Sequence, residues 1–469
     1  MSTKEHKKLL DEIHSKVIEY IYNSNIRPKR TIEEIHADIN LSIGPSTDFK
    51  QIKILIEQYL EYSVKTNSSQ FYNQLFSGIS ITGYIGELIS TITNNSMYTF
   101  EMSPVATLIE IELIKKMSNL IGYKNGGGTF VPGGSNGNYL AMLSARQTMM
   151  PEIMKNGMFE SKAIAAFVSN ESHYSMIKAA TQLGIGTNNI IRVDVDSSGR
   201  MDPIALRNAI KISINNGIKP FFVGATAGTT VRGCFDPIFE IAEICKENNI
   251  WLHIDGSWGG TALLSSKHRA LIAGSEHSDS FTWCAHKGMA QPLMCTAILF
   301  KDSTILFNIN NVEGTEYLFH GNDGIEPDLG RQSLQCGRRV DSLKLWLTWK
   351  YYGDKGYEKN IDHIFDMAQY AKNKVLSSKN LRLISDVQFL NICFQIHPKG
   401  LEEKLVDEFT LQVRNRLYEN GMAMVNYAEV EGKTCIRLVT VNYDLSTVHL
   451  DQFFTDIEQT SKEILPDFL

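Results

Sequence analysis

Ile250-Trp251-Leu252-His253-Ile254-Asp255 and Ser280-Phe281-Thr282-Trp283-Cys284-Ala285-His286-Lys287 are the two stretches on which the reading of this chain turns. Each is an apolar run that ends in a reactive side chain. An acid closing one strand and a His-Lys closing a second can hold pyridoxal 5'-phosphate. The lysine amine bonds the aldehyde covalently. The aspartate keeps the pyridine nitrogen protonated, so that the ring draws electrons from a substrate's α-carbon. A buried Lys–Asp ion pair fits the same two residues, and nothing in the pair alone separates the two readings. His253 and Asp255 are two apart and share a strand face. A metal site needs a third ligand, none is evident, and no metal is expected.

Outward from these stretches the pattern is regular. Short apolar runs recur at Ala163–Val168, Ile190–Val193, Phe221–Ala225 and Thr296–Phe300, with helical periodicity at 202–215 and 237–248. Such alternation predicts an α/β fold with a mostly parallel central sheet. Pro104 opens a predicted helix to Ile121, Gly126-Gly127-Gly128 breaks it, and another helix covers 137–149. Upstream, Leu9, Leu10, Ile13, Val17, Tyr20 and Ile21 share one helical face. Residues 25–45 are irregular, with Pro28, Gly44 and Pro45 as breakers, and a helix follows over 47–66. After 351, strands at 389–396 and 434–441 and helices at 401–420 and 446–463 read as a small α+β domain. The expected division is an N-terminal helical arm and dimerisation segment at 1–103, a large cofactor-binding domain at 104–350 and a small C-terminal domain at 351–469.

Composition narrows the function. The chain has 469 residues, 43% hydrophobic and 21% charged, and a net charge of −6. There is no basic footprint, so nucleic acid is not an expected partner. The seven cysteines are odd in number and form no CxxC pair. Reduced thiols and a cytoplasmic setting are therefore expected. No apolar run approaches a membrane span.

Four further motifs carry chemistry. Pro132-Gly133-Gly134-Ser135-Asn136-Gly137-Asn138 precedes a helical run. A Gly-rich turn at a helix N-terminus favours a phosphate, though the same residues also make an ordinary turn. His173, in Asn170-Glu171-Ser172-His173-Tyr174-Ser175, fits either a ring stacked on a cofactor or a plain hydrogen-bonded histidine. Thr226 to Thr230 follow an apolar run, at a strand end where α/β sheets bind ligands. Asp236 nearby fits the cofactor network or a helix cap. Arg338 and Arg339 follow Cys336-Gly337; a guanidinium fork matches a carboxylate, and surface arginine is the alternative.

Taken together, the chain from about residue 70 onward resembles the pyridoxal-phosphate-dependent group II amino-acid decarboxylases. It is most similar to the branch acting on glutamate, cysteine sulfinate and aspartate. The matching stretches are Phe71–Gly78, Tyr98–Pro104, Pro132–Gly134, Ser172–Ser175, Ala225–Thr230, Phe235–Pro237, Ile250–Asp255, Trp258–Gly260, His286-Lys287 and Leu334–Arg338. The resemblance implies fold-type I (the aspartate aminotransferase-like fold) and a homodimer with shared active sites. It implies that Lys287 holds the cofactor, that Asp255 pairs with its nitrogen and that His173 stacks on its ring. Thr230, Asp236 and His286 would join the network, with Ser135, Asn136 and Gly137 as the phosphate cup. Gln74 and Arg338 would receive the carboxylate of an amino-acid substrate. Phe76 and Ser96 are similar to the residues of enzymes acting on short acids, since a phenyl ring shortens the pocket. The implied reaction is decarboxylation of a short acidic L-amino acid, aspartate or cysteine sulfinate ahead of glutamate.

The chain departs from the family in three places. Relatives carry asparagine at Cys284 and proline at Ala285, and often serine at Gly137. A weak thiol replaces a strong donor, which predicts weaker cofactor retention. Relatives also carry alanine at Ser257, beneath the ring, where a hydroxyl would contact the ring or its 3-oxygen or do nothing. Finally, relatives have a loop tyrosine that returns a proton after CO₂ leaves. Here His320 to Gln335 contains no tyrosine. His320 is a substitute acid or a solvated loop histidine. The departures keep two other outcomes open: oxidative decarboxylation–deamination to an aldehyde, and a silent binding protein.

Overall fold

The computed structural model describes residues 3–23, 25–26, 29–44, 46–159, 162–310, 312, 314–315, 317–319 and 327–469. They divide into two compact units. One comprises 1–78, 370–384 and 393–469; the other comprises 79–369 and 385–392.

The first unit opens with helices α1 (Thr3–Tyr22), α2 (Ile32–Asp38) and α3 (Phe49–Tyr62) and the short strand β1 (Phe71–Tyr72). α2 lies inside the stretch expected to be irregular. A capping box starts it: Thr31 accepts from the Glu34 N–H, and the Glu34 carboxylate accepts from the Thr31 N–H.

The second unit begins with α4 (Ile81–Thr93) and α5 (Pro104–Ile121), then β2 (Gly127–Val131) and α6 (Gly134–Met149). Strands β3 (Ile164–Ser169), β4 (Ile190–Val193), β5 (Lys219–Thr226), β6 (Trp251–Asp255), β7 (Ser280–Cys284) and β8 (Thr296–Phe300) complete a seven-stranded sheet. Its order is β2-β8-β7-β6-β5-β3-β4. β4, β3, β5, β6 and β7 pair in parallel, whereas β8 runs antiparallel to both β7 and β2. The sheet is thus mostly parallel, as expected. Both faces are covered: Ile164, Ala166 and Val168 of β3 enter one core, and Ala165 and Phe167 enter the other. That explains why these strands read as continuous apolar runs instead of alternating ones.

The chain returns to the first unit through β9 (Leu381–Leu383), β10 (Asn391–Ile396), β11 (Met424–Val430) and β12 (Lys433–Val439). With β1 they form a five-stranded sheet ordered β1-β11-β12-β10-β9. The compact units therefore run differently from the expected 1–103, 104–350 and 351–469. Residues 1–78 join the C-terminal strands because β1 pairs with β11, Gln70 Nε2 donates to Met422 O (2.7 Å), and Tyr72 packs on Phe453. The expected boundary at 351 falls inside the kinked helix Asp341–Ser377.

Candidate active site

Thr226, Asp255 and Cys284 end three neighbouring strands, β5, β6 and β7. Sheets of this kind bind ligands at such carboxyl ends. There the three residues line a cavity of about 230 Å³, joined by Gly134 and Ser135 of α6, His173, Thr230, Ser257, His286 and Lys287. Lys287 sits on the helical turn Ala285–Gly288 that follows β7. It makes no hydrogen bond or ion pair among the described residues.

Asp255 is held by a buried network whose pairing no sequence motif announces. Asn138, 1% exposed, lies at its centre. Its Nδ2 donates to Asp255 Oδ2 (2.7 Å) and to Ser175 Oγ (2.9 Å). Its Oδ1 pairs with His253 Nε2 (3.0 Å), and His253 Nδ1 pairs with Ser280 Oγ (2.9 Å), which also accepts from Trp251 Nε1 (2.9 Å). An ionised carboxylate only accepts, so the amide nitrogen must face Asp255. The amide oxygen then faces His253, whose proton sits on Nε2 while Ser280 donates to Nδ1. By the same logic Ser175 donates to His173 Nδ1 (2.8 Å), leaving the His173 proton on Nε2.

Charges in the network follow from these contacts. Burial works to raise the Asp255 carboxyl, but the Ser257 hydrogen bond, the Lys287 charge and the Asn138 donor outweigh it, and the net shift is downward. Asp255 is therefore ionised. Burial pushes His253 down to about 4 and also lowers His173, so both rings are neutral. An anion fixed to hold a proton on a ring nitrogen, faced by an unpaired lysine, is what pyridoxal phosphate requires.

The phosphate end is built by α6. The N–H groups of Asn136 and Gly137 close onto Gly133 O; those of Gly134 and Ser135 remain at the open N-terminus, where an anion is favoured. Space here is tight. A Cβ on Gly134 would lie 2.5 Å from Ser257 Oγ and 3.1 Å from Cys284 Sγ. A Cβ on Gly137 would lie 2.7 Å from both Thr282 Oγ1 and Cγ2. Thr282 thus accounts for the missing serine at 137: its side chain fills that space. The Cys284 thiol accepts from Thr296 Oγ1 (3.2 Å), and burial raises its pKa, so it stays protonated.

Other expected site residues lie elsewhere. Asp236 is not in the cavity lining, nor does it cap a helix. It accepts from the N–H groups of Met201 and Thr226 (both 2.7 Å), tying the end of β5 to a distant turn. Burial raises it to about 6. Arg338 is committed to Glu110, with Nη1 and Nη2 donating to the two carboxylate oxygens at 2.8 and 2.6 Å. Both side chains are buried, at 9% and 1% exposed. An internal carboxylate has satisfied the fork expected to bind substrate. Ser96 lies against the 337–338 backbone, where Met97 N donates to Arg338 O (3.1 Å), and Asn136 is likewise outside the lining. Gln74 and Phe76 belong to the first unit, Gln74 exposed and Phe76 packed on Phe71. In that unit Arg437, a buried arginine not singled out from the sequence, donates to Asn73 O (2.8 Å). His286 lines the cavity, its Nδ1 engaged by Cys295. His320 lies outside the described residues. Among the described residues no cluster could hold a metal, and no helix is long and apolar enough to cross a membrane.

Residues 33–397 match the family model described as pyridoxal-dependent decarboxylase conserved domain. The chain is 35% identical over 464 residues to the acidic amino acid decarboxylase GADL1 of Homo sapiens, covering 97% of this chain and 88% of that protein. It is 36% identical over 426 residues to the cysteine sulfinic acid decarboxylase of Homo sapiens, covering 88% and 86%. A crystal structure of mouse CSAD superposes with a TM-score of 0.94 at 33% identity, covering 98% of this chain and 99% of that one. The likeness reaches further toward the N-terminus than the stretches from residue 70 implied.

Proposed function

Because the chain belongs to the pyridoxal-dependent decarboxylase family, we propose that it removes the α-carboxylate of a short acidic L-amino acid, aspartate or cysteine sulfinate ahead of glutamate. Its architecture is the fold-type I arrangement and its cofactor is pyridoxal phosphate. When bound, the cofactor supplies an electron-withdrawing ring that takes up the electron pair left as CO₂ departs. The buried Asp255, kept ionised and held by Asn138, is the observation that carries the reading; it would hold a proton on the ring nitrogen. Lys287 would supply the amine that anchors the aldehyde carbon. His173, neutral and fixed at Nδ1 by Ser175, would pack on the ring. The N–H groups of Gly134 and Ser135 would serve the phosphate. Two relatives above one-third identity bear names that specify acidic substrates, and Phe76 and Ser96 resemble the residues of short-acid enzymes.

The test is incubation in air with cofactor and aspartate, cysteine sulfinate or glutamate separately, with products identified by mass spectrometry. The amine from a short acid is expected. Turnover of glutamate far faster than either short acid would refute the substrate order. One observation favours a second outcome: the stretch from His320 to Gln335 has no tyrosine to return the proton. An aldehyde with ammonia and peroxide would establish that outcome. The partner is a second copy of the chain. Ile81, Ile85, Leu88, Ile89 and Ile92 form an exposed apolar stripe on α4, extended by Val105 and Leu108 of α5, and such patches mark association surfaces. Leu88→Glu is expected to yield monomer by light scattering; a parent protein that is itself monomeric would refute the dimer.

A further inference from the structure

We propose that the Ser257 hydroxyl is a phosphate ligand of the cofactor, standing in for the amide donor that Cys284 lacks. Ser257 is 6% exposed and lines the cavity beside the Asp255 carboxylate and the Cys284 thiol, and its Oγ makes no well-formed hydrogen bond to either. Its neighbour, the Cys284 thiol, is a weak donor and a weak acceptor. A buried hydroxyl left unmatched beside a ligand cavity is costly unless the ligand completes it.

The direction of the side chain decides which part of the ligand it serves. Ser257 Oγ lies 2.5 Å from where a Cβ on Gly134 would stand, and Cys284 Sγ lies 3.1 Å from the same point. Gly134 is the first residue of α6, the helix end whose N–H groups favour an anion. Position 257 therefore contributes its hydroxyl at the phosphate end, not at the ring's 3-oxygen. Asp255, two residues earlier, accepts the Ser257 N–H (3.1 Å). The backbone of Ser257 thus steadies Asp255, while its side chain lies beside Gly134 at the start of α6. Gly134 is required for this arrangement, because any side chain there would displace the hydroxyl. The departures at 257 and 284 become one exchange, a hydroxyl gained where an amide was lost. The inference rests on the family's cofactor and is independent of which acid is the substrate.

The test separates phosphate from ring. Apo-protein is titrated with pyridoxal phosphate and, in parallel, with pyridoxal, which lacks the phosphate, following cofactor absorbance. Ser257→Ala is expected to weaken pyridoxal phosphate binding about tenfold and to leave pyridoxal binding unchanged. In a Cys284→Asn background the same substitution is expected to cost less than about threefold, because the restored amide supplies the donor. Unchanged affinity for pyridoxal phosphate would overturn the proposal. So would an equal loss for both ligands with an unchanged unfolding midpoint, which would place the hydroxyl on the ring. A change of substrate preference bears on the proposed function alone and leaves this comparison intact.

Discussion

Asn138→Asp is the sharpest probe of the buried network, because it changes one atom and almost no volume. The new carboxylate would stand 2.7 Å from Asp255 Oδ2, where the amide nitrogen now donates. Two unit charges at that distance repel by about 6 kcal/mol at an effective dielectric of about 20, equivalent to about four pKa units. Two such groups cannot both ionise, so the pair retains one proton and titrates as a unit. With that proton on residue 138, its single O–H serves either Asp255 or Ser175, whereas the amide serves both. One lost hydrogen bond costs about 1 kcal/mol. As pH rises and the shared proton is stripped, the repulsion appears and Asp255 can no longer be supported. The variant should therefore approach the parent in mildly acid buffer and lose both stability and cofactor affinity toward alkaline pH, a limb absent from the parent. Urea unfolding and cofactor titration between pH 5.5 and 8.5 measure it. A variant within about 0.5 kcal/mol of the parent at every pH would show that Asn138 does not donate to an ionised Asp255.

Three further outcomes are expected. Arg338→Ala strands the buried Glu110 carboxylate, and breaking such a pair costs about 3–5 kcal/mol; the urea midpoint should fall steeply. A normally stable variant with a raised KM would mean that Arg338 serves the substrate after all. Gly137→Ser should destabilise by about 1–3 kcal/mol through overpacking on Thr282, and Thr282→Ala should relieve it; strictly additive effects would disprove the contact. Acid should weaken the fold in a defined window. His253 and His286 titrate near 4 when folded, against an ordinary 6.5. The unfolded chain therefore takes up protons first, and the stability these rings confer is complete above pH 6.5 and lost as pH falls toward 4, by about 3 kcal/mol each. Asp236, raised to about 6, works the opposite way and returns about 1 kcal/mol by pH 5. The net loss between pH 7 and pH 5 is about 2 kcal/mol, checked by denaturant unfolding at the two values; equal stability would show that the two imidazoles are not buried neutral.

What the sequence disclosed and what it hid divide along sequence distance. β6 and β7 were readable because their apolar runs and reactive ends are contiguous, and α6 because its glycines precede its periodicity. The strand-end position of Asp255 and the place of Lys287 just beyond β7 follow directly. The role of Asn138 is not legible, since nothing local marks an asparagine whose partners lie 117 and 115 residues away. Arg338's pairing is illegible for the same reason: its carboxylate, Glu110, is 228 residues distant and sits in an ordinary amphipathic helix. α2 was missed in a breaker-rich stretch although its capping box was local. Pro28, Gly44 and Pro45 dominate the pattern there, yet Thr31 and Glu34 suffice to start a helix.

The pairing of Phe71 with Met424 also sets a timetable. A ribosome adding about 5–20 residues per second leaves roughly 20–70 seconds between the emergence of β1 and that of its partner strand. Throughout that interval β1 awaits the strand it pairs with, and Gln70 and Tyr72 await Met422 and Phe453. The second unit, nearly continuous in sequence from 79 to 369, can close around its own core meanwhile. Birth order and assembly order are thus inverted: the first residues made are among the last to be secured, and expression at low temperature or with holdase chaperones should benefit that segment most.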